Sequence, residues 1–427
     1  MTDRIYASYW IETAFPLAQA AATMAGEQST GTFLRVPGET DELRERYAAR
    51  VESIEESFSE SRDQVAPAPS LPGSGTPPNW DGIRRTAEIT LSWPLHNIDP
   101  SLPNLLATVA GNLSELKAFS GLKLLDLTLP PAFLTAYQGP QFGVAGTRAL
   151  SGVHGRPLIG TILKPSIGLS PEATAEQVRV LAEAGIDFIK DDELQSDGPH
   201  CPFEVRATAV LNVLNRHHDR TGKRVMYAAN LTGDLDQMLH RHDHLVAHGG
   251  TCLMVSMNSI GLPAMKVLRA HSQLVIHGHR NGWGMLGRSP ALGMSFVAFQ
   301  KLWRLAGIDH THVNGLRNKF CEPDDSVIAS ARACLTPMFP APHPGCEIMP
   351  VFSSGQSARQ VPDTYKALGS TDLIYAAGGG IMGHPMGPAA GVRSLQQAWE
   401  AATTRIPLQT YATTHPELAA ALQLFGT

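Results

Sequence analysis

The residues best suited to chemistry are Lys164 and the run Lys190, Asp191, Asp192 and Glu193. Carboxylates are hard oxygen donors, so Asp192 and Glu193 suit Mg2+. An amine close to them could deliver or accept a proton. Further along come His279 and Arg280, then His312, then Ser353, Ser354 and Gly355, and finally Gly378, Gly379 and Gly380. Arginine grips phosphate or carboxylate through two parallel N–H bonds, so Arg280 with His312 could hold one anionic group. Glycines after a strand let main-chain N–H groups approach a phosphate, and Ser353 and Ser354 would add hydroxyl donors beside them. Each motif also has a plainer reading taken alone: an acidic turn, an ion pair at a rim, or a flexible turn.

Elements of one kind would position all of these residues. Short apolar runs cover 157–165, 186–193, 224–231, 251–259, 273–281, 309–315, 347–355 and 372–380. Helical patterns such as PEATAEQVRVLAEAG and SFVAFQKLWRLAG lie between them. Eight strand–helix units over residues 151–427 predict a (β/α)8 barrel, whose chemistry sits at the C-terminal strand ends. A doubly wound open sheet is built from the same unit. Strand alternation turns Lys190 and Asp192 to one face and Asp191 to the other.

Residues 1–150 read as a separate α+β domain. Strands are predicted over 4–12 and 86–94, helices over 15–26 and 102–111, and a charged helical pattern over 40–60. The Pro-, Gly- and Ser-rich stretch 66–80 reads as a surface loop. In the second domain, His240, His244 and His248 share one helical face and look like a metal cluster. They sit on a predicted outer helix, away from the strand ends, so a surface helix is expected there. Met254 and Met257 are expected to pack in the core.

Bulk properties narrow the class. The chain has 427 residues, 43% hydrophobic and 17% charged, the balance of a soluble globular protein. A net charge of -5 argues against a nucleic-acid partner, while a local pocket can still be basic. Five widely spaced cysteines with no CxxC pair suit neither a disulfide framework nor a zinc site. The first residues lack an apolar signal core, and no apolar run approaches the ~20 residues of a membrane span. A cytoplasmic location without a membrane partner is expected.

Taken together, GTILKPSIGLS (160–170) and AGIDFIKDDE (184–193) resemble the RuBisCO large-chain family around its catalytic and carbamylated lysines. The likeness continues through HGHRNG, GIDHTHVNG with Lys319 following, MPVFSSG and GGGIMGHPMG, and upstream through GEQSTGTF and AGNL. It spans nearly the whole chain, in order. The resemblance implies a C-terminal (β/α)8 TIM barrel with an N-terminal α+β, ferredoxin-like domain. It implies that Lys190 is carbamylated and, with Asp192 and Glu193, ligates Mg2+. Lys164 would be the acid/base lysine, and His279 would lie near the metal-bound hydroxyls. Arg280, His312 and Ser353 would form one anion site. Thr32, Lys319, Gly355, Gly378 and Gly379 would form the other. Glu27 and Asn112 would reach in from a neighbouring subunit, making a homodimer the minimum unit.

The sequence departs from authentic RuBisCO at several places. Ser166 stands where a second lysine follows Lys-Pro, Ile162 replaces a threonine, Phe33 replaces a tryptophan, and Lys319 leads into FCEPDDS. These departures imply a RuBisCO-like (form IV type) protein with another substrate. The leading expectation is a lyase that decarboxylates a phosphorylated β-keto sugar acid such as 3-oxo-isoapionate 4-phosphate. The alternatives are an enolase or isomerase of methylthio-sugar phosphates in methionine salvage, a transcarboxylase/hydrolase on a related keto acid phosphate, authentic RuBisCO, and a non-enzymatic scaffold.

Overall fold

The computed structural model describes residues 3–31, 36–57 and 71–425. Two compact units emerge. One comprises residues up to Gln138 together with Gly282–Leu302 and Met338–Gly345, and the other comprises Gly139–Asn281, Trp303–Pro337 and Cys346 onward.

The first unit is a five-stranded mixed sheet with helices. Arg4–Thr13 lies between Arg85–Pro94 and Phe119–Thr128, antiparallel to both. Ile5, Ala7, Tyr9 and Ile11 are buried in alternation, as a half-covered strand requires. The helices Leu17–Glu27 and Leu102–Ala110 fall where the periodicity predicts them. The charged stretch 40–60 does not stay helical: Asp41–Tyr47 is a helix, but Arg50–Glu56 is an edge strand paired with Arg85–Pro94. Its exposed charges mask the pattern, and charge on an edge strand discourages pairing with other chains. Part of the predicted loop 66–80, up to residue 70, lies outside the described residues. The fifth strand, Leu292–Met294, comes from much later in the chain and runs parallel to Phe119–Thr128.

The second unit is a closed barrel of eight parallel strands. They are Leu158–Ile162, Phe188–Lys190, Met226–Asn230, Cys252–Ser256, Val275–His279, His310–His312, Met349–Phe352 and Ile374–Ala376. All eight fall within the predicted runs, and closure of the barrel excludes the open-sheet alternative. The runs overreach at their C-terminal ends, where Met257 already opens the helix Met257–His271 and Gly378 the helix Gly378–Met382.

Leu158, Phe188, Met226, Met254, Val351 and Ile374 belong to one buried cluster filling the interior. Gly160 packs tightly beside them: a Cβ there would lie 3.0 Å from the Phe188 ring and 3.2 Å from Ile374. Just before the strand Phe188–Lys190, buried Asp187 accepts bonds from Arg156 at 2.6 and 3.1 Å, from Lys223 at 2.7 Å and from the Ile159 N–H at 2.8 Å. These bonds fix where that short strand begins, and therefore where its last residue, Lys190, stands. Among the described residues, no helix is long and apolar enough to cross a membrane.

Candidate functional site

Phe188 points into the barrel core, so Lys190, two residues on, points inward above it. Its amine is fully buried. It donates to the Asp191 carbonyl at 2.7 Å and faces Glu193 Oε2 at 3.5 Å. Burial lowers the pKa of this amine, and Glu193, Asp192 and Asp191 only partly oppose the shift. Asp191 points away, as alternation requires. It accepts from the Tyr227 hydroxyl at 2.6 Å and the Asn230 N–H at 3.0 Å, and it pairs with buried Arg206 at 3.3 Å.

Asp192 and Glu193 turn back over the mouth. Asp192 Oδ1 caps the chain through the Leu194 N–H at 3.1 Å, leaving Oδ2 to the Lys164 amine at 2.5 Å. Burial pushes the Asp192 carboxyl up, but the Lys164 bond outweighs it and holds the group below the usual carboxylate range. Lys164 also donates to Ser166 Oγ at 2.8 Å, so the serine standing in place of a lysine orients the amine. Glu193 Oε2 is 3.4 Å from His279 Nε2. Burial, followed by the Lys190 charge, lowers His279 to about 4, so its ring is neutral at pH 7. Burial opposes ionisation of Glu193, while His279 and Lys190 favour it, leaving its carboxyl below the ordinary value.

The donor set fits a divalent cation. Two carboxylates converge on two lysine amines, and a carbamate on Lys190 would supply further oxygen ligands in place of a nitrogen. The Lys164 amine bonds Asp192, and the Lys190 amine faces Glu193.

On the other side of the mouth, His312 Nδ1 meets Ser353 Oγ at 2.7 Å, and its ring stacks edge-on to His279 at 4.5 Å between centroids. Burial holds His312 well below its usual pKa. Arg280 is close to this pair but is engaged by Glu322, a residue the sequence reading did not single out. The glycine group lies beside Lys164. A Cβ on Gly378 would be 3.6 Å from Ile162 and 3.8 Å from the Lys164 side chain. Lys319 packs against Gly355, and its N–H donates to the Ser354 carbonyl at 3.1 Å. A cleft of about 280 Å³ is lined by Gly355, Gly379 and Gly380, with Arg317 and Gln356.

The second unit therefore brings Lys164, Lys190, Asp192, Glu193 and His279 into one group, with His312, Ser353 and Arg280 adjoining it. Glu27 and Asn112 lie together in the first unit, where Asn112 Nδ2 is 3.5 Å from Glu27 Oε1. Thr32 and Phe33 lie outside the described residues. On the outer helix Leu235–Ala247, His240 bonds Glu204 at 2.7 Å and His244 bonds Thr208 at 2.9 Å, and His248, capping the helix end, bonds the His244 carbonyl at 2.8 Å. The His244 and His248 rings stack at 4.1 Å between centroids, and the His240 ring nitrogen is taken up by Glu204. Met254 and Met257 are buried. The residues that sequence reasoning missed are Glu322, Asn314, Tyr227 and Arg206. The unusual segment after Lys319 was the one signal for Glu322.

The chain matches the family model for the ribulose bisphosphate carboxylase large chain, catalytic domain, over residues 143–425. It matches the N-terminal domain of that chain over residues 3–69 and 79–133. It is 54% identical over 422 residues to a Xanthobacter autotrophicus protein named 3-oxo-isoapionate-4-phosphate transcarboxylase/hydrolase, covering 99% of both chains. It is 45% identical over 421 residues to a Rhizobium etli 3-oxo-isoapionate-4-phosphate decarboxylase, covering 98% of both. The crystal structure of a rubisco-like protein from Burkholderia fungorum superposes with a TM-score of 0.89 at 47% identity, covering 99% of both chains.

Proposed function

Because the chain belongs to the ribulose bisphosphate carboxylase large-chain family, we propose that it is a RuBisCO-like lyase that removes CO2 from a phosphorylated β-keto sugar acid. The substrate we assign is 3-oxo-isoapionate 4-phosphate, the compound in the names of two relatives. The observation that carries this reading is the convergence of Lys164 on Asp192 beside the buried Lys190 and Glu193.

Asp192, Glu193 and a carbamate on Lys190 would hold Mg2+, since all three offer hard oxygen donors. When bound, the cation supplies Lewis-acid polarisation of the substrate ketone. Burial lowers the pKa of the Lys190 amine, which makes its neutral form more accessible than that of an exposed lysine. A neutral amine is the form that can attack CO2, forming the N–C bond and losing a proton. In turnover, the bond between the carboxylate carbon and its neighbour breaks, and CO2 leaves. The electron pair spreads over the neighbouring carbon and the adjacent ketone oxygen, giving an enediolate. Stabilising that oxyanion is the main electrostatic task of the mouth. Lys164, held by Asp192 and Ser166, is placed to return a proton to the carbon. His279, whose burial disfavours a charged ring, can accept or donate a hydrogen bond to a substrate hydroxyl. Glu27 and Asn112 would complete the mouth of a second copy, so a homodimer is the working unit in this reading.

Incubation of the Mg2+-loaded enzyme with carboxyl-labelled keto acid phosphate tests this. Label leaving as CO2 supports the lyase. Label retained in an acid product supports the second reading, a transcarboxylase/hydrolase, which the 54% identical relative favours. Unchanged substrate at high enzyme concentration rejects both.

A further inference from the structure

The end of the mouth formed by Arg280, His312 and Ser353 contains a carboxylate of the chain itself. Glu322 follows Lys319 on the segment leading into the helix Asp324–Leu335. Its Oε2 accepts from Arg280 and from Asn314 Nδ2 at 2.7 Å, and its Oε1 accepts from Ser326 at 2.9 Å. Both members of the Arg280–Glu322 pair are nearly buried, with side chains 8% and 12% exposed. Asn314, which has a left-handed backbone at φ 64°, also accepts from the Ser354 hydroxyl at 2.8 Å. Ser354 lies 3.4 Å from the Ser353 hydroxyl, and Ser353 is bonded to His312. One continuous hydrogen-bonded chain thus runs from His312 through Ser353, Ser354 and Asn314 to Glu322 and Arg280.

We infer that Glu322 is a specificity-determining residue: as an internal anion on Arg280, it makes this end of the mouth reject a second phosphate, so the substrate class is a monophosphate. The inference rests on reading the mouth as a sugar-phosphate site. A phosphate dianion arriving here would meet a carboxylate already seated on the guanidinium. Displacing Glu322 would strand a charge in a nearly buried position, which is unfavourable. Like-charge rejection of this kind sets specificity by penalising the wrong ligand. What remains at this end is a set of donors and acceptors without net charge, suited to hydroxyl groups. The single phosphate is left to the opposite end, where the backbone of Gly355, Gly378 and Gly379 offers N–H groups and Lys319, its amine 5.2 Å over the Phe320 ring, offers a cation.

The test is calorimetric binding of two non-reacting probes, a pentitol monophosphate and the corresponding pentitol 1,5-bisphosphate, to the full-length Mg2+-loaded protein. Wild type should bind the bisphosphate no more than about twofold tighter than the monophosphate. Glu322→Gln keeps the shape and removes the charge, and it should tighten bisphosphate binding by about tenfold while moving monophosphate binding less than twofold. A wild-type preference of tenfold or more for the bisphosphate would overturn the inference without touching the lyase reading. So would a folded Glu322→Gln protein with no gain for the bisphosphate. The wild-type comparison stands alone if the variant does not fold. Absence of binding by both probes would sink this inference together with the sugar-phosphate reading it rests on.

Discussion

The Lys164 amine lies 2.5 Å from Asp192 Oδ2, although the two residues sit on different strand ends of the barrel. A lysine side chain 41% exposed is thereby held against an aspartate side chain that is 5% exposed. This contact joins the proton-carrying group to the cation-binding group, and the first two predictions depend on it.

Lys164→Met should lower kcat by about 10²–10⁴-fold, the range for loss of a positioned acid or base. It should leave Mg2+ binding unchanged or tighter, because Asp192 loses a competing cation. Steady-state rates alongside a metal titration check this. Loss of metal binding in the same variant would show that Lys164 organises the carboxylates instead.

Asp192→Asn and Glu193→Gln should each weaken Mg2+ binding by roughly tenfold or more, since each removes a charged oxygen donor. Melting temperature measured with and without Mg2+ reads this directly. The wild type should gain stability from the cation by mass action, and the variants should gain little.

Acid stability should depend on Asp187. Burial raises its pKa, but Arg156 and Lys223 outweigh that and hold it below the ordinary carboxylate range. A carboxyl whose folded pKa is depressed stabilises the protein above its unfolded value, and that stability is lost as pH falls through the folded value. Asp187→Asn should cost about 3 kcal/mol at neutral pH. It should also flatten the decline in stability below about pH 4. Denaturant titrations at several pH values would detect both effects, and an unaltered acid limb would contradict the assignment.

Phe188 supports Lys190 from below and sits 5.3 Å from the His277 ring. Phe188→Ala should cost about 3–5 kcal/mol through the cavity it leaves. It should also lower activity at temperatures where the variant is still folded, because the layer under Lys190 loosens. A variant that loses stability but keeps full kcat would separate the core from the site.

Much of this architecture was legible from residue order. The eight barrel strands showed because each is a short apolar run ending in polar residues. Alternation alone separated Asp191, bonded outward to Tyr227 and Arg206, from Lys190 and Asp192. Less legible were features without a local period. Arg50–Glu56 is an exposed edge strand whose charges imitate a surface helix. Leu292–Met294 joins a sheet formed by residues far earlier in the chain, and nothing nearby in sequence marks that pairing. Glu322 meets Arg280 only because two strand ends adjoin in the closed barrel, so neither residue's neighbours announce the other. The acid/base, metal and anion roles were suggested by family resemblance more than by any single motif, since a carboxylate run after a strand is common on its own.

The most direct measurement is CO2 release from 3-oxo-isoapionate 4-phosphate by the enzyme with Mg2+, repeated in excess chelator and with Lys190→Ala. Release by the wild type that stops in chelator, returns when Mg2+ is restored, and is absent from the folded variant is the expected result. Undiminished release in excess chelator, or from Lys190→Ala, would contradict a single metal-assisted site built from Lys164, Lys190, Asp192 and Glu193.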